Sequence, residues 1–534
     1  MSRKMVSTCV LTLVMFAAVT ATAQSFRVQC PDSTITHPSS LHNNNSEPAY
    51  ASATTLSAGA NGFLTPSANV NGAIKCQQIS GGDGYSTMGD GSQLYMFSFG
   101  PLSGLADIAA GKPGTEFPGV FNGPYSGTPL VPGDPATTGL ASFHFNGAVG
   151  QVPDVDNAGA IDGHVDPRQL MDVGVMNGNI PAPMIAIDED DELFLTLSNV
   201  GMIMRPDLFE QHTVHFHGYP NASAFYDGVP DASVAINIGG SFTYYYLAPD
   251  AGTYFWHCHI SPPEHLQMGM VGQLYVRPRQ NRLAQGADLY TALQQENAAT
   301  GAIVSGAVVS DGLRIACNPS QDILCTAVTP AINTGATQSM DKLLNPQKYA
   351  YNDGDGTTAY DVEYPLQIHG FDPNFHFVGM TFNPEGFADM KDKYFLLNGR
   401  SYPDTVTAGP LQTQSADGAS HFSQPLPSII DIPHNGRALL RISDLDVSEY
   451  QTLASLGIRM QVIGYNAKLL RDQDGNNMYY STNSITLGGG ESLDVILDAN
   501  GVTAGTYYLY TPNLDHLSND AENFGGLMTE VHVN

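Results

Sequence analysis

The sequence predicts an all-β protein, and three observations lead to that prediction. Only 13% of the residues are charged, which is low for a helix-rich protein. The 55 Gly and 34 Pro are spread along the chain and indicate many turns. Short apolar runs of the strand type lie between these turns, and a hydrophobic share of 42% is enough for sizeable cores. We therefore expect sheets joined by loops.

The first 23 residues have the pattern of a secretory signal peptide. A basic start at residues 3–4 precedes an apolar run that ends near Val19, and Ala21-Thr22-Ala23 is a small-residue cleavage pattern. The run is shorter than the roughly 20 apolar residues that a membrane span needs. We therefore expect residues 1–23 to be removed and the chain to be exported, to the periplasm or outside the cell, with no membrane span.

Composition divides the rest of the chain into four segments. Residues 24–90 are rich in Ser, Ala, Asn and Gly and predict a long, loop-rich N-terminal extension. Residues 91–280 predict a strand-rich unit, the first unit, with a loop insertion at 100–170. Residues 281–360 predict a linker with a short helix near its start, at Leu283–Asn297. Residues 361–534 predict a second strand-rich unit, the second unit.

The two units end on similar text, which is a weak internal repeat. Gly252-Thr253-Tyr254-Phe255 closes the first unit, and Gly505-Thr506-Tyr507-Tyr508 lies near the end of the second. Two copies of one β-sandwich are the simplest explanation of this repeat.

The charge balance excludes some classes of partner. The chain has 21 Lys and Arg against 51 Asp and Glu, a formal net charge of −30. Nucleic acids are not expected as partners because phosphate binding needs a basic face. Docking on an anionic membrane is disfavoured for the same reason.

The cysteines agree with export. Cys9 leaves with the signal peptide, whereas Cys30 with Cys76 and Cys317 with Cys325 are expected to form disulfides in an oxidising compartment. Cys258 is left over, and its neighbours offer a reason.

Two short windows of the first unit concentrate histidines. The first is His212-Thr213-Val214-His215-Phe216-His217-Gly218, and the second is His257-Cys258-His259-Ile260 followed by His265 and Met270. If both windows are strands, their side chains alternate between two faces. One face then carries four imidazoles: His215, His217, His257 and His259. The other carries His212 and Cys258, which His265 and Met270 join from the following loop.

Two imidazoles, a thiolate and a weak axial thioether are the ligand set of a blue-copper electron-transfer site. Met268 competes with Met270 for the axial position, but the longer gap after His265 gives a loop room to turn back over the metal. A structural zinc site usually has paired ligands such as Cys-x-x-Cys, which this sequence lacks. The four other imidazoles suit a second copper centre.

Three stretches of the first unit resemble the cupredoxin domain of the multicopper oxidase family. Asn177-Gly178-Asn179-Ile180-Pro181-Ala182-Pro183 is similar to the family's opening strand and turn, and Asp227-Gly228-Val229-Pro230 to the segment after its His-x-His-Gly. Gly252-Thr253-Tyr254-Phe255-Trp256-His257-Cys258-His259 is similar to its copper strand. The resemblance implies two cupredoxin-like Greek-key sandwiches. It also implies a type 1 copper at His212, Cys258, His265 and Met270, and part of a type 2/type 3 copper cluster at His215, His217, His257 and His259.

The second unit resembles a plastocyanin-like domain of the same family that lacks copper ligands. Phe395-Leu396-Leu397-Asn398-Gly399-Arg400-Ser401-Tyr402-Pro403 is similar to the opening of such a domain. We expect Ile458–Gly464 in the place of His-x-His-Gly, and Tyr510–His516 in the place of His-Cys-His. The family's oxygen-reducing cluster takes four imidazoles from each of two facing domains, and this chain offers only one clear set of four.

The resemblance implies an exported copper-dependent oxidoreductase of the multicopper oxidase type, with no catalytic residues beyond the metal ligands. Electrons from a small-molecule, metal-ion or redox-protein donor would enter at the type 1 copper and pass through His257-Cys258-His259 to the second copper site. Two alternatives stay open. One is a copper nitrite-reductase-like enzyme, although His215 stands where that family has an Asp. The other is a non-enzymatic blue-copper protein that carries electrons or holds copper.

The incomplete set of imidazoles also predicts an assembly. Burying unpaired imidazoles is costly, so their face should meet a second protein surface. Small two-domain members of the family close head to tail as trimers, and a homotrimer with copper at the interface is therefore expected. His516 is the best candidate for an added ligand.

Overall fold

The computed structural model describes residues 30–32, 34, 56–58, 64–66, 73–104, 107–108, 111–122, 176, 178–189, 191–218, 223–248, 250–282, 303–304, 307–308, 348–377, 387–414, 420–472 and 474–534. Strands dominate these residues, which confirms the all-β prediction. No helix among them is long and apolar enough to cross a membrane. The signal segment, the helix expected at Leu283–Asn297 and the pair Cys317–Cys325 lie outside the described residues.

The first unit is a sandwich of two four-stranded sheets, which follow a separate two-stranded hairpin of β1 and β2. Its sheets have the strand orders β4-β3-β6-β8 and β5-β10-β9-β7, and two short helices accompany them. The strands are β1 (Leu56–Ala58), β2 (Leu64–Pro66), β3 (Ile74–Thr87), β4 (Gln93–Pro101), β5 (Ile185–Asp188), β6 (Glu192–Gly201), β7 (His215–Phe216), β8 (Ser241–Leu247), β9 (Gly252–His257) and β10 (Val271–Arg277), and the helices are α1 (Pro118–Phe121) and α2 (Pro262–Gln267).

The segment between the units contributes two short hairpins, β11 (Ile303–Val304) with β12 (Ala307–Val308) and β13 (Lys348–Tyr349) with β14 (Ala359–Tyr360). The second unit then has the strands β15 (Val362–Phe371), β16 (Tyr394–Leu397), β17 (Leu411–Gln414), β18 (Ser420–Gln424), β19 (Ile430–Ile432), β20 (Arg437–Asp444), β21 (Gln451–Leu456), β22 (Met460–Tyr465), β23 (Lys468–Leu469), β24 (Tyr480–Thr482), β25 (Ser484–Leu487), β26 (Glu491–Asp498), β27 (Gly505–Tyr510) and β28 (Met528–Val533). Single 3₁₀ turns lie at Ala224–Tyr226, Arg279–Arg282, Phe387–Asp389, Asp404–Val406 and Leu514–His516.

The second unit repeats the strand order of the first. Its large sheets run β16-β15-β20-β26-β22-β23 and β19-β28-β27-β21-β25, so β15, β16, β20 and β26 correspond to β3, β4, β6 and β8. Likewise β19, β28, β27 and β21 correspond to β5, β10, β9 and β7. The same two contacts are parallel in each unit, namely β3–β6 and β5–β10 in the first and β15–β20 and β19–β28 in the second.

Local detail in β9 and β27 supports the repeat. Each strand begins at a glycine with positive φ, 145° at Gly252 and 155° at Gly505. The Tyr254 hydroxyl donates to the Asp250 carbonyl at 3.0 Å, and the Tyr507 hydroxyl donates to the carbonyl four residues upstream at 2.8 Å. A tyrosine tied back to the preceding turn in this way fixes the corner of a sandwich. The structure therefore bears out the internal repeat.

Two parts of the sequence interpretation need correction. β3 forms within residues 24–90, for which we expected a loop-rich N-terminal extension. The sequence does not reveal this strand because its glycine-rich centre, Ser80-Gly81-Gly82-Asp83-Gly84, has the composition of a turn. The strand equivalent to β7 is β21, whereas Ile458–Gly464 lies largely in β22, which pairs with β26 in the other sheet. A Cβ on Gly464 would meet the Tyr351 hydroxyl oxygen at 2.2 Å, so close packing accounts for that glycine rather than a copper-site turn.

Each sandwich has its own apolar core, and the two units also share a buried polar interface. Strands β9 and β10 pack on the sheet that contains β20 and β26. The Gln273 side chain donates to the Arg441 carbonyl at 2.7 Å, and the Arg277 guanidinium contacts the Glu363 carboxylate at 2.9 Å. The predicted disulfide Cys30–Cys76 is present and ties the start of the chain to β3.

Candidate metal centres

Strand pairing brings the two histidine windows together. β7 and β9 are antiparallel neighbours in which His215 pairs with His257 and Phe216 pairs with Trp256. After β9 the chain turns into α2, which carries His265, and returns as β10 directly after Met270. The windows therefore meet at one end of the first sandwich, on the edge of one sheet.

His212, Cys258 and His265 form the first group, which we name the thiolate set. Their donor atoms all lie within 4.8 Å of one another, and all three residues are buried. Met270 is also fully buried, and its carbonyl accepts a hydrogen bond from the Cys258 amide at 3.2 Å. Met268 belongs to the same apolar core, so both candidate axial methionines are nearby.

The thiolate set is electrostatically arranged for a cation. Burial raises the pKa of the Cys258 thiol, but His265 and His212 beside it outweigh burial and hold that pKa well below its usual range. Burial lowers the pKa of His265, while the Cys258 thiolate and Glu210 raise it to about 10. Without a metal, the thiolate is thus balanced by a protonated imidazole; a soft metal ion takes the place of that proton.

Three residues around the thiolate set were not found by sequence reasoning. Glu210 accepts from His265 Nε2 at 3.3 Å, which leaves Nδ1 facing the Cys258 sulfur at 3.2 Å. Thr213 donates its amide to that sulfur at 3.4 Å, and its hydroxyl accepts from the His259 amide at 2.9 Å. A Cβ on Gly81 of β3 would meet His212 Cδ2 at 2.5 Å.

Only the position of Glu210 had a usable signal in the sequence. It precedes His212 by two residues, the spacing that puts two strand residues on one face. A carboxylate on the outer nitrogen of a ligand histidine fixes its ring orientation and tautomer. Thr213 and Gly81 act through contacts with distant strands, which spacing does not reveal.

The second group, the imidazole set, comprises His215, His217, His257 and His259. Donor nitrogens of the first three lie within 4.8 Å of one another, and His217 Nε2 is 2.8 Å from His257 Nε2. The His259 ring centroid is 4.9 Å from that of His215. The imidazole set therefore lies on the face of β9 opposite to Cys258.

Backbone carbonyls hold two of these rings. The Nδ1 atom of His215 donates to the Asp227 carbonyl at 2.6 Å, and Nδ1 of His257 donates to the Cys258 carbonyl at 2.7 Å. Nε2 of His215 is then left for a ligand, and Nε2 of His257 faces Nε2 of His217 at 2.8 Å, as two nitrogens that could share one metal ion would. Burial lowers the pKa of His257 to about 3 and that of His217 to about 4, so both are neutral at pH 7.

The residues present fit metal ions at both sets. Neither ring nitrogen of His212 has a hydrogen-bond partner within the described part of the chain, although the side chain is fully buried. Leaving such polar atoms unpaired costs free energy that a bound cation recovers. A thiolate with imidazoles and methionine selects copper among the common metals.

The structure does not bring His516 to the imidazole set. It lies in the second unit with 2% of its surface exposed, stacked at 3.9 Å between ring centroids on Phe395. Its two ring nitrogens contact Gln451 and Glu449, both at 2.9 Å. A side chain buried in this way is not presented to another subunit.

Comparison with known proteins agrees with the geometry. Residues 161–281 match the family model described as multicopper oxidase. The chain is 34% identical over 112 residues to multicopper oxidase MCE of Talaromyces pinophilus, a match covering 21% of this chain and 17% of that protein. It is 34% identical over 109 residues to laccase abr2 of Aspergillus fumigatus, a match covering 20% of this chain and 17% of that protein.

The match thus spans a small part of these curated relatives. Among solved structures, blue copper oxidase from Nitrosomonas europaea covers 86% of this chain and 85% of its own at 16% identity, with a TM-score of 0.46. Copper is the cofactor of the multicopper oxidase family, and both donor sets lie inside the matched residues. Residues 161–281 are therefore similar to a multicopper oxidase domain.

Proposed function

We propose that this protein is an exported copper-dependent oxidoreductase of the multicopper oxidase type. Copper bound at the two sets would supply one-electron chemistry, accepting electrons from a donor at the thiolate set and delivering them at the imidazole set. His212, Cys258 and His265 would hold the first copper, with Met270 as a fourth donor, and the imidazole set would hold the second.

One observation carries the proposal: the two sets are joined through consecutive residues. His257 belongs to the imidazole set and Cys258 to the thiolate set, and the His257 ring donates to the Cys258 carbonyl at 2.7 Å. A single peptide bond and this hydrogen bond therefore connect the two donor sets. Simple storage of metal would not require such a connection.

The surroundings of the thiolate set favour a cationic or small donor. His265 is fully buried, but its partner Glu210 has a quarter of its side chain exposed, so this carboxylate leads from the set to the surface. The whole chain has a formal net charge of −30, which favours encounter with a metal ion or a basic redox protein. We place donor docking on the Glu210 side.

One observation favours the electron-carrier alternative. By strand pairing, the second-unit equivalents of His215, His217 and His257 are Ala454, Leu456 and Tyr510, and none of these is an imidazole. Three of the four equivalent positions at that end of the second unit therefore lack a histidine. The imidazole set needs another protein surface to complete a larger cluster, and without one the protein would carry electrons rather than reduce oxygen or nitrite.

Copper counting combined with optical and EPR spectra tests the proposal. A copper-bound thiolate absorbs intensely in the visible range, so Cys258→Ser should abolish the band completely while copper at the imidazole set remains. His257→Ala should lower the copper content and leave the band. His532→Ala, which removes a partly exposed imidazole of the second unit, is the matched control and should change neither.

The outcomes of these measurements distinguish an oxidoreductase from an electron carrier. Absence of the band from copper-loaded parent protein would contradict the thiolate set as a copper site. If the protein shows the band and still accepts and donates electrons, but neither takes up oxygen nor reduces nitrite, the electron-carrier alternative is supported. Turnover that His217→Ala and His257→Ala abolish would support the enzyme.

We also propose that the chain assembles head to tail as a homotrimer. Thr253 and Phe255 on the outer face of β9 are buried against the second unit, with at most 4% of each exposed. The equivalent outer face of the second unit carries Leu456, which is 59% exposed. Another copy of the chain could cover this exposed face, just as the second unit covers the outer face of β9. Three copies joined head to tail in this way would form a closed ring.

A further inference from the structure

The hairpin of β27 and β28 in the second unit repeats the hairpin that carries the thiolate set. The Thr511 amide donates to the Leu527 carbonyl at 3.0 Å, just after β27 and just before β28. In the first unit the Cys258 amide donates to the Met270 carbonyl at 3.2 Å at the same points of β9 and β10. Thr511 therefore occupies the position of Cys258, and Leu527 that of Met270.

The loop between these strands is repeated as well. In the first unit the Met270 amide donates to the His265 carbonyl at 2.9 Å. In the second unit the Leu527 amide donates to the His516 carbonyl at 3.0 Å. His265 lies in α2, and His516 ends a 3₁₀ turn in the corresponding loop. His516 therefore occupies the position of the ligand His265.

The fourth position follows from strand β21. Ala454 is equivalent to His215, because each pairs with the last residue of the strand that leads into the loop, β27 or β9. Three residues upstream of each lie Gln451 and His212. The Gln451 side chain oxygen is 2.9 Å from His516 Nδ1, so Gln451 fills the place of the second imidazole.

The second unit also has a carboxylate beside His516, at the position that Glu210 has beside His265. Glu449 precedes Gln451 by two residues, as Glu210 precedes His212. Its carboxylate contacts His516 Nε2 at 2.9 Å, and Glu210 contacts the equivalent nitrogen of His265 at 3.3 Å. The imidazole and its outer carboxylate thus have the same mutual arrangement in both units.

We propose that the second unit retains the frame of a type 1 copper site without its metal, with His516 as the surviving ligand position. Gln451, Thr511 and Leu527 are fully buried and His516 is 2% exposed, as a metal site at that depth requires. The contacts with Gln451 and Glu449 occupy both ring nitrogens of His516. In the first unit, by contrast, Nδ1 of His265 faces the Cys258 sulfur at 3.2 Å.

This inference rests on the proposed copper site at Cys258, and it predicts that a copper site can be rebuilt in the second unit. Gln451→His, Thr511→Cys and Leu527→Met together supply the three missing donors around His516. Leucine to methionine is a volume-conserving exchange that cores tolerate well. The other two replacements exchange side chains of similar size and need no movement of the backbone hydrogen bonds that set the frame.

The test is carried out in the full chain with Cys258→Ser, so that the native thiolate site is silent. Adding the three substitutions and copper should restore an intense thiolate-to-copper absorption and increase the copper content by one equivalent. The matched control carries Gln451→His, Thr511→Ser and Leu527→Met, and should show no band because it lacks the sulfur ligand. Removing copper with a chelator should abolish the restored band.

The parent protein separates the two proposals. A parent without the band contradicts the proposed function, whereas a parent with the band and a folded triple variant without it overturns this inference alone. If the triple variant does not fold, Gln451→His and Leu527→Met are measured singly by thermal unfolding. Loss of cooperative unfolding in either would also overturn the inference, because the frame has room for each ligand.

Discussion

At the scale of single residues, Gly81 controls the position of a ligand it does not itself provide. A Cβ at this position would meet His212 Cδ2 at 2.5 Å and Cγ at 3.1 Å. Both atoms belong to a rigid ring in a packed core, so the imidazole has to move. The glycine therefore sets the distance between β3 and the thiolate set.

We expect Gly81→Ala to weaken copper binding at the thiolate set by about 10–100-fold, the range found when residues supporting a metal ligand are changed. The visible band should shift as His212 is displaced. Copper titration followed by absorption measures both effects. Gly119→Ala is the control, because a Cβ there meets nothing within 4 Å; unchanged copper affinity in Gly81→Ala would contradict the packing argument.

Positions set by the alternation of side chains along one strand could be predicted from the sequence. Positions set by contacts between segments far apart in the chain could not. His215 and His257 were assigned to one face, and Cys258 to the other, from spacing alone. The contact of Glu210 with His265 requires a loop that closes 55 residues later. The contact of Gly81 with His212 joins two segments more than a hundred residues apart. Sequence spacing carries no record of such distant partners.

At the scale of elements, β3 is held near its start and at its centre. Its Cys76 forms the disulfide with Cys30, and farther along the strand Gly81 packs on His212. The bridge closes a loop of 46 residues, for which the chain-entropy model gives about 4 kcal/mol of stabilisation. Its position near the start of the strand separates it from His212, which packs on the centre of the strand.

Replacing Cys30 and Cys76 together by Ala should therefore lower the free energy of unfolding by about 2–4 kcal/mol and leave the visible copper band in place. Chemical denaturation and absorption measure the two properties. Cys258→Ser is the reciprocal control, since it should remove the band and keep the disulfide. A double variant that loses the band would show that the arm is needed to hold β3 against His212.

The elements differ in how readily they could be predicted. β9 combines strand-forming residues with the copper motif, so its place and its partner β7 followed from the sequence. β3 was hidden because glycines in its centre serve close contacts rather than a turn. β21 was missed because its residues Gln451, Ala454 and Leu456 retain none of the histidines that mark β7. Only the pairing of β21 with β27 reveals the correspondence.

At the scale of the whole molecule, the two units meet through a buried ionic cluster. Glu363 accepts from Arg277 of the first unit at 2.9 Å and from Arg441 of the second at 3.0 Å. Burial raises the pKa of Glu363, but these two arginines and Lys348 outweigh burial and hold that pKa at about 2. Separating the units would leave these buried charges unpaired, which opposes movement of one unit relative to the other.

The proposed trimer gives the prediction at this scale. Light scattering of the mature protein at micromolar concentration should yield three times the mass of the chain. Leu456→Asp puts a charge at the centre of the proposed contact and should shift the protein to monomer. Met478→Asp, at another exposed site on the second unit, should leave the trimer intact. A monomeric parent would remove the interface and with it any copper shared between subunits.

The pair of His516 and Glu449 bears on the history of the chain. If the second unit is a duplicated copper domain without its metal, as we propose, its side chains differ in how well they fit a core that holds no copper. A thiol without its metal is open to oxidation, whereas an imidazole that finds a carboxylate and an amide remains a stable part of the core. The second unit has kept the residues that satisfy one another, and has a hydroxyl in place of the sulfur. A descendant under renewed selection would need only three codons to change before the silent copy could take up copper again.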